Sequence, residues 1–262
     1  MQRLLAIEWR KIASYRTFRV LAGLFLILLP LWNWGIYKSV INLGGAQFNI
    51  LSKAYSFPAV WENLGFWAGI FVMFLAILMI ILISNEYSFR THRQNVIDGW
   101  SRLDFYHGKV ALVVCISLAA TLYMALVGVA AGLLTGGVSG ISGGWERVFF
   151  FFIYTLNYLG FAALLAFWIR RSGLAISLFF LYLLIVENLF RGLINWKSSW
   201  PVGNLMPLQA SDELLPFPIA KMVGSMLSKG PHFSEWTYVL TSCAWIALYY
   251  FGGRKLIRKR DF

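Results

Sequence analysis

Glu187 and Arg191 stand four residues apart in an apolar run, in the order that favours an ion pair along a helix. An ionisable residue within such a run is a functional candidate by default. Two uses suit the pair: a structural bridge that shields a polar helix end, or contact with a transported solute at an outer gate. Elsewhere the catalytic constellations are missing. The Gly108-Lys109 pair is followed by Val110 and has no glycine at the upstream distance that a phosphate loop requires, so the chain is not expected to bind ATP by itself. It also has no GxSxG elbow, no HExxH and no metal-ligand spacing, and His92, His107 and His232 are scattered. No catalytic residue, cofactor or metal is expected on this chain.

The most polar stretch is "NEYSFRTHRQNVIDGWSRLDFYHGKV", Asn85 to Val110. Within it Ser101 can cap a helix and Asp104, three residues later, can close the capping box. Trp100 and Phe105 occupy the positions of a hydrophobic staple. Asp98-Gly99 supplies a turn, and the residues before it suit a short amphipathic helix continuing from the preceding apolar run. The sum is a helix-turn-helix elbow over residues 85–105, more structure than a connection between two helices needs, and it reads as a docking surface.

These features must be carried by long apolar elements. Of 262 residues, 59% are hydrophobic and 13% charged, against roughly 45–50% and about 25% in soluble domains. Apolar runs near 19–37, 64–84, 108–135, 148–169, 173–190 and 236–252 are long enough to cross a bilayer. Their continuity, without period-two alternation, excludes a barrel and predicts an all-α polytopic membrane protein of six transmembrane helices in a single domain. With both termini cytoplasmic, the inner pieces hold 16 of the 23 Lys and Arg residues, as the positive-inside rule requires. The +12 net charge is thereby explained by a membrane surface and calls for no nucleic-acid partner. Cys115 and Cys243 fall inside runs, where a thiol behaves as a small apolar residue.

Three further elements complete the plan. Residues 1–18 place Leu5, Trp9 and Ile12 at helical spacing with basic residues beside them, which predicts an N-terminal interfacial helix. The first apolar run lacks a small-residue cleavage site and is read as an uncleaved span anchored by Trp32 and Trp34. Gly128, Gly132 and Gly136 form a smooth stripe suited to close helix packing. Residues 195–232, interrupted by five prolines yet rich in Leu and Met, suggest short re-entrant helices between the fifth and sixth spans.

The pattern Glu86-Tyr87, Thr91, Arg93-Gln94, Asp98-Gly99, Ser101-Arg102, Phe105 and Gly108-Lys109 resembles the loop between the second and third spans of type-2 permeases of ATP-binding-cassette (ABC) transporters. The interfacial helix, six spans and re-entrant segment are similar to that family's layout. The resemblance implies a permease without its own ATPase, working as a homodimer or with a related chain, in a prokaryotic plasma membrane. A separate cytoplasmic ABC ATPase subunit would hold the ATP and magnesium. Glu86, Thr91, Arg93, Gln94, Asp98 and Arg102 would then form the coupling site, and Glu86 could organise the elbow through Arg93 or Arg102. Family loops often carry glycine where this chain has Arg90, so a longer helix is expected there.

Two other classes stay open on the residues alone: a membrane-embedded enzyme acting on lipids, and an immunity or binding protein without transport. The enzyme would show polar residues converging at one depth. The few ionisable residues inside spans argue against a proton- or sodium-driven carrier and fit a hydrophobic or amphipathic cargo.

Overall fold

A computed structural model describes residues 8–9, 11–12, 15–38, 42–43, 46–47, 55–91, 101–218 and 232–259. Six long helices dominate: α1 (Arg16–Lys38), α2 (Ala59–Ser88), α3 (Arg102–Gly136), α4 (Glu146–Ile169), α5 (Ser172–Lys197) and, after a short α6 (Gln209–Asp212), α7 (Glu235–Lys259). A 3-10 turn at Val202–Leu205 precedes α6, and the two-residue strands β1 (Asn42–Leu43) and β2 (Ala46–Gln47) pair antiparallel. Five helices, α1 to α5, are long and apolar enough to cross a membrane. The sixth expected span falls on α7, which has 25 residues but carries Glu235, Arg254, Lys255 and Arg258.

The helices alternate in direction. Asn85, near the end of α2, bonds the Tyr15 hydroxyl at the start of α1, and Arg147 in the first turn of α4 meets Glu62 and Glu235, in the first turns of α2 and α7, at 3.4 and 2.6 Å. The starts of α2, α4 and α7 therefore gather at one end, each with an acidic first-turn residue that complements the helix dipole. At the other end lie residues 89–91, after α2, and the start of α3. We call this the loop end. Helix α4 packs on α2, α3 and α7 and forms the centre of the bundle.

Apolar side chains also cover the outside. Leu126 is 68% exposed and Leu134 77%, and α1 and α5 show Ile27, Leu31, Leu184 and Ile185 in the same way. Water would penalise such faces, whereas hydrocarbon accepts them. Backbone groups are satisfied within the bundle to match. Pro30 leaves the Leu26 carbonyl without its helical donor, and the Tyr123 hydroxyl of α3 supplies one at 2.5 Å. The Tyr55 hydroxyl donates to Asn33 Oδ1 at 3.0 Å, and burial pushes its pKa up to about 12, which keeps it a donor.

The glycine stripe of α3 packs against the entry to α2. A Cβ on Gly128 would stand 2.5 Å from the Trp61 ring, and Trp61 is fully buried. Gly128→Ala is expected to cost about 1–3 kcal/mol, the usual range for overpacking a filled core. Thermal unfolding in detergent checks this, with Gly35→Ala, which meets nothing within 4 Å, as the neutral control.

Candidate functional site

At the loop end, three chain segments are joined by buried charge. Lys109, in the second turn of α3, is 2% exposed and its ammonium donates to Glu8 Oε2 and, at 2.5 Å, to Glu86 Oε1. Glu8 is itself buried to 1% exposure and lies on the helical N-terminal segment, while Glu86 belongs to the last turn of α2. Lys11 adds a second, half-exposed cation 3.7 Å from Glu8 and 3.8 Å from Glu86. Two carboxylates and two ammonium groups thus balance in charge. Neutrality matters because a buried charge left without its partner costs several kcal/mol.

The packing explains why these charges can be buried. Ile12 is 3% exposed and shares its helical face with Glu8, so the segment lays both an apolar and an acidic residue against the bundle. Trp9, expected on the same apolar face, instead points outward and meets Phe18 edge-on at 6.0 Å. On α3, Phe105 packs edge-on against Tyr87 of α2, and the Lys109 ammonium lies 5.6 Å from the Phe105 ring centre. The start of α3 is fixed by the expected capping box: Ser101 Oγ accepts from Asp104 N at 3.1 Å and Ser101 N donates to Asp104 Oδ2 at 3.0 Å.

The coupling candidates fare unequally. Glu86 sits in the charge cluster, Thr91 Oγ1 lies 3.4 Å from the Glu86 carbonyl beyond the end of α2, and Arg102 is exposed in the first turn of α3. Arg93, Gln94 and Asp98 lie outside the described residues, as does Trp100 of the expected staple. Glu86 is organised by Lys109 and Lys11, partners that the sequence reading did not assign to it. The longer helix expected at Arg90 is not formed. Helix α2 stops at Ser88, and Arg90 adopts the left-handed backbone itself, with φ 55°. A side chain there tolerates the conformation that glycine would take freely, at a cost of about 1–2 kcal/mol.

Glu8 and Lys109 are the functional candidates that sequence reasoning missed. A signal existed: Glu8 is the only acidic residue in 1–18, and it falls on the apolar helical face of Leu5 and Ile12.

The other candidates, Glu187 and Arg191, make no ion pair with each other. Glu187 is fully buried, and its Oε1 accepts from the backbone N–H of Leu208 at 2.6 Å and of Gln209 at 3.0 Å. Arg191 donates to Gln209 Oε1 at 2.5 Å. Both side chains are spent on the segment after α5 because a π turn at Tyr182–Val186 interrupts that helix immediately before Glu187. The extra residue of the turn shifts the register of the remaining helix, and Asn188 returns a donor to the disturbed Leu183 carbonyl at 3.0 Å.

The segment so held runs deep between helices. Asn157 Nδ2 donates to the Pro207 carbonyl at 2.7 Å and to Ser211 Oγ at 2.9 Å, and the Tyr158 hydroxyl donates to Asp212 Oδ1 at 2.6 Å. Trp245 of α7 bonds the Leu205 carbonyl at 3.0 Å, and Leu215 rests against Gly65 and Gly69 of α2. Asn157, Gly69 and Trp245 all lie about eleven residues from the start of their helices, or roughly 17 Å in at 1.5 Å per residue. Asp212 reaches the same level of the bundle through its bond from Tyr158, a charge that lies outside the apolar runs.

A helical bundle with five apolar helices of membrane length and a lipid-suited exterior is an integral membrane protein. The chain belongs to the family described as "Protein of unknown function (DUF2705)", whose profile matches residues 42–262. A comparison with curated proteins finds no match.

Proposed function

We propose that this chain is the transmembrane permease subunit of an ATP-driven ABC exporter, coupling hydrolysis by a separate nucleotide-binding subunit to movement of a substrate across a prokaryotic plasma membrane. The observation that carries the reading is the Glu8–Lys109–Glu86 cluster. It fastens the N-terminal segment, the last turn of α2 and the second turn of α3 within and beside the polar stretch Asn85 to Val110. A cytoplasmic ATPase seated on that stretch would push on three segments at once, because their charges cannot be separated within the bundle without exposing an unpaired ion. Helix α2 then carries the displacement across the membrane.

On this reading α7 is the sixth span, both termini are cytoplasmic, and residues 201–217 re-enter the bundle from the outer side without crossing it. Their contacts with Asn157, Gly69 and Trp245 support that placement, since irregular backbone at depth needs protein around it. Two permease protomers and two ATPase subunits would make the working assembly, as in the transporters whose loop this one resembles. Glu86, Thr91, Arg93, Gln94, Asp98 and Arg102 remain the coupling residues, joined by Lys109 and Glu8.

A second reading has one observation in its favour. Asn157, Tyr158, Gln209, Ser211 and Asp212 converge at one level, as a membrane-embedded enzyme acting on lipids would require. The two readings part on ATP. In proteoliposomes containing the chain and its ATPase, Arg93→Ala with Arg102→Ala, the latter on an exposed side chain outside the charge cluster, is expected to abolish transport-linked stimulation of hydrolysis while leaving the complex assembled. Normal stimulation in that double variant would remove the coupling assignment.

A further inference from the structure

A cavity of about 510 Å³ opens beside the buried segment, between α2, α4 and α5, within the size range of sites for drug-like ligands. Its walls differ in chemistry. One is apolar and aromatic, with Phe66, Ile70 and Met73 of α2 and Leu184 of α5. Phe217 closes onto Phe66 with ring centres 5.0 Å apart. The other wall carries Arg191, Gln209, Asp212 and Glu213.

The hydrogen bonds on the polar wall fix its sign. Asp212 takes Tyr158 O–H on one oxygen at 2.6 Å and Gln209 Nε2 on the other at 3.1 Å. Glu213 Oε1 takes Asn204 Nδ2 at 2.7 Å. Among the described residues, every donor to these two carboxylates is neutral. The one cation of the wall, Arg191, points to the Gln209 amide oxygen at 2.5 Å and makes no ion pair among the described residues. Behind the wall Glu187 is fully buried, and its Oε2 has no hydrogen-bond partner. Three carboxylates therefore share one arginine, with aromatic rings opposite.

We propose that this cavity binds an amphipathic organic cation, with its ammonium or comparable charge at Asp212 and Glu213 and its apolar part along Phe66, Phe217 and Leu184. Positive charge entering there meets carboxylates that make no ion pair among the described residues, in surroundings where charge is poorly screened. The aromatic wall opposite takes up the apolar part of the same ligand. A bare metal ion suits the site poorly, because no three acidic, histidine or cysteine side chains converge as a ligand set among the described residues. If the permease reading holds, this ligand class is its cargo. The site itself rests on the single chain.

The test uses the full-length protein alone in phosphatidylcholine nanodiscs, with tetraphenylphosphonium as probe and tetraphenylborate, of the same shape and opposite charge, as control. Equilibrium dialysis against empty nanodiscs removes the lipid contribution. Protein-dependent binding of the cation and not of the anion is expected. Glu213→Gln, which keeps an acceptor for Asn204, should weaken it about tenfold, as for one lost partner in a half-buried charge contact. Leu184→Trp, on a side chain that is 62% exposed and therefore tolerant of change, should block the apolar wall and abolish binding. Equal uptake of both ions, or unchanged cation binding in both variants, would overturn the proposal. No ATPase enters the measurement. Failure here with an ATPase partner in hand would remove only the cation site, and binding here without any such partner would leave the site standing and remove the permease.

Discussion

Lys109→Met is expected to prevent recovery of folded protein, or to lower its stability by about 3–5 kcal/mol, the penalty for stranding buried charges. The side chain is 2% exposed and is the central cation between Glu8 and Glu86. Lys11, 37% exposed and 3.7 Å or more away, can reach toward the two carboxylates but cannot enter the space between them. Against a typical total of about 5–15 kcal/mol the loss is large. The diagnostic companion is the triple variant Glu8→Gln, Glu86→Gln, Lys109→Met. It removes both carboxylates with the buried ammonium, leaving only Lys11, which is 37% exposed and open to water, and should regain most of the stability, because no fully buried ion is then left unpaired. Detergent size-exclusion profiles and thermal unfolding of the two variants measure the difference. A single variant as stable as the original, or a triple variant as unstable as the single, would show that the cluster does not bind the three segments together.

Glu187→Leu is expected to release the segment after α5. Two buried backbone N–H groups, those of Leu208 and Gln209, would lose their acceptor. At about 1–3 kcal/mol for each unsatisfied group, the segment would be drawn toward water. Ser211 reports this directly, since it is fully buried against Asn157. In a background with Cys115 and Cys243 replaced by alanine, Ser211→Cys should resist a water-soluble maleimide and become reactive once Glu187→Leu is added. Glu187→Gln retains an oxygen acceptor and should leave the cysteine protected. Equal labelling in all three proteins would mean that Glu187 does not hold the segment.

The helices were legible in the sequence because hydrocarbon imposes one simple demand, an unbroken apolar run, and five such runs became α1 to α5 with modest changes at their ends. The capping box at Ser101 and Asp104 was legible for a similar reason, since it is a local bond between residues three apart. Partners distant in the chain were not. Glu8 and Lys109 are separated by 101 positions, and only the antiparallel packing of helices brings them together. The Glu187–Arg191 pair shows the opposite error: spacing along an ideal helix suggested a bond, but the π turn and the returning segment gave both side chains better partners. At Arg90, a side chain where the resembled loops carry glycine suggested a longer helix, whereas α2 ends at Ser88 and the residue takes a left-handed conformation. The glycine stripe was read correctly as a packing surface, although its partners, Phe57 and Trp61, are set by the fold.

Central to the proposed function is a partner that hydrolyses ATP and docks at the loop-end cluster. The most direct measurement is gentle extraction of the tagged chain from its native membrane, with mass spectrometry of the intact assembly and its subunits. A soluble subunit with a phosphate-binding loop is expected, retained with the original chain and lost when the residue 89–101 connection is replaced by a flexible linker. Recovery of the chain without any nucleotide-binding subunit, at native expression and across mild detergents, would contradict it.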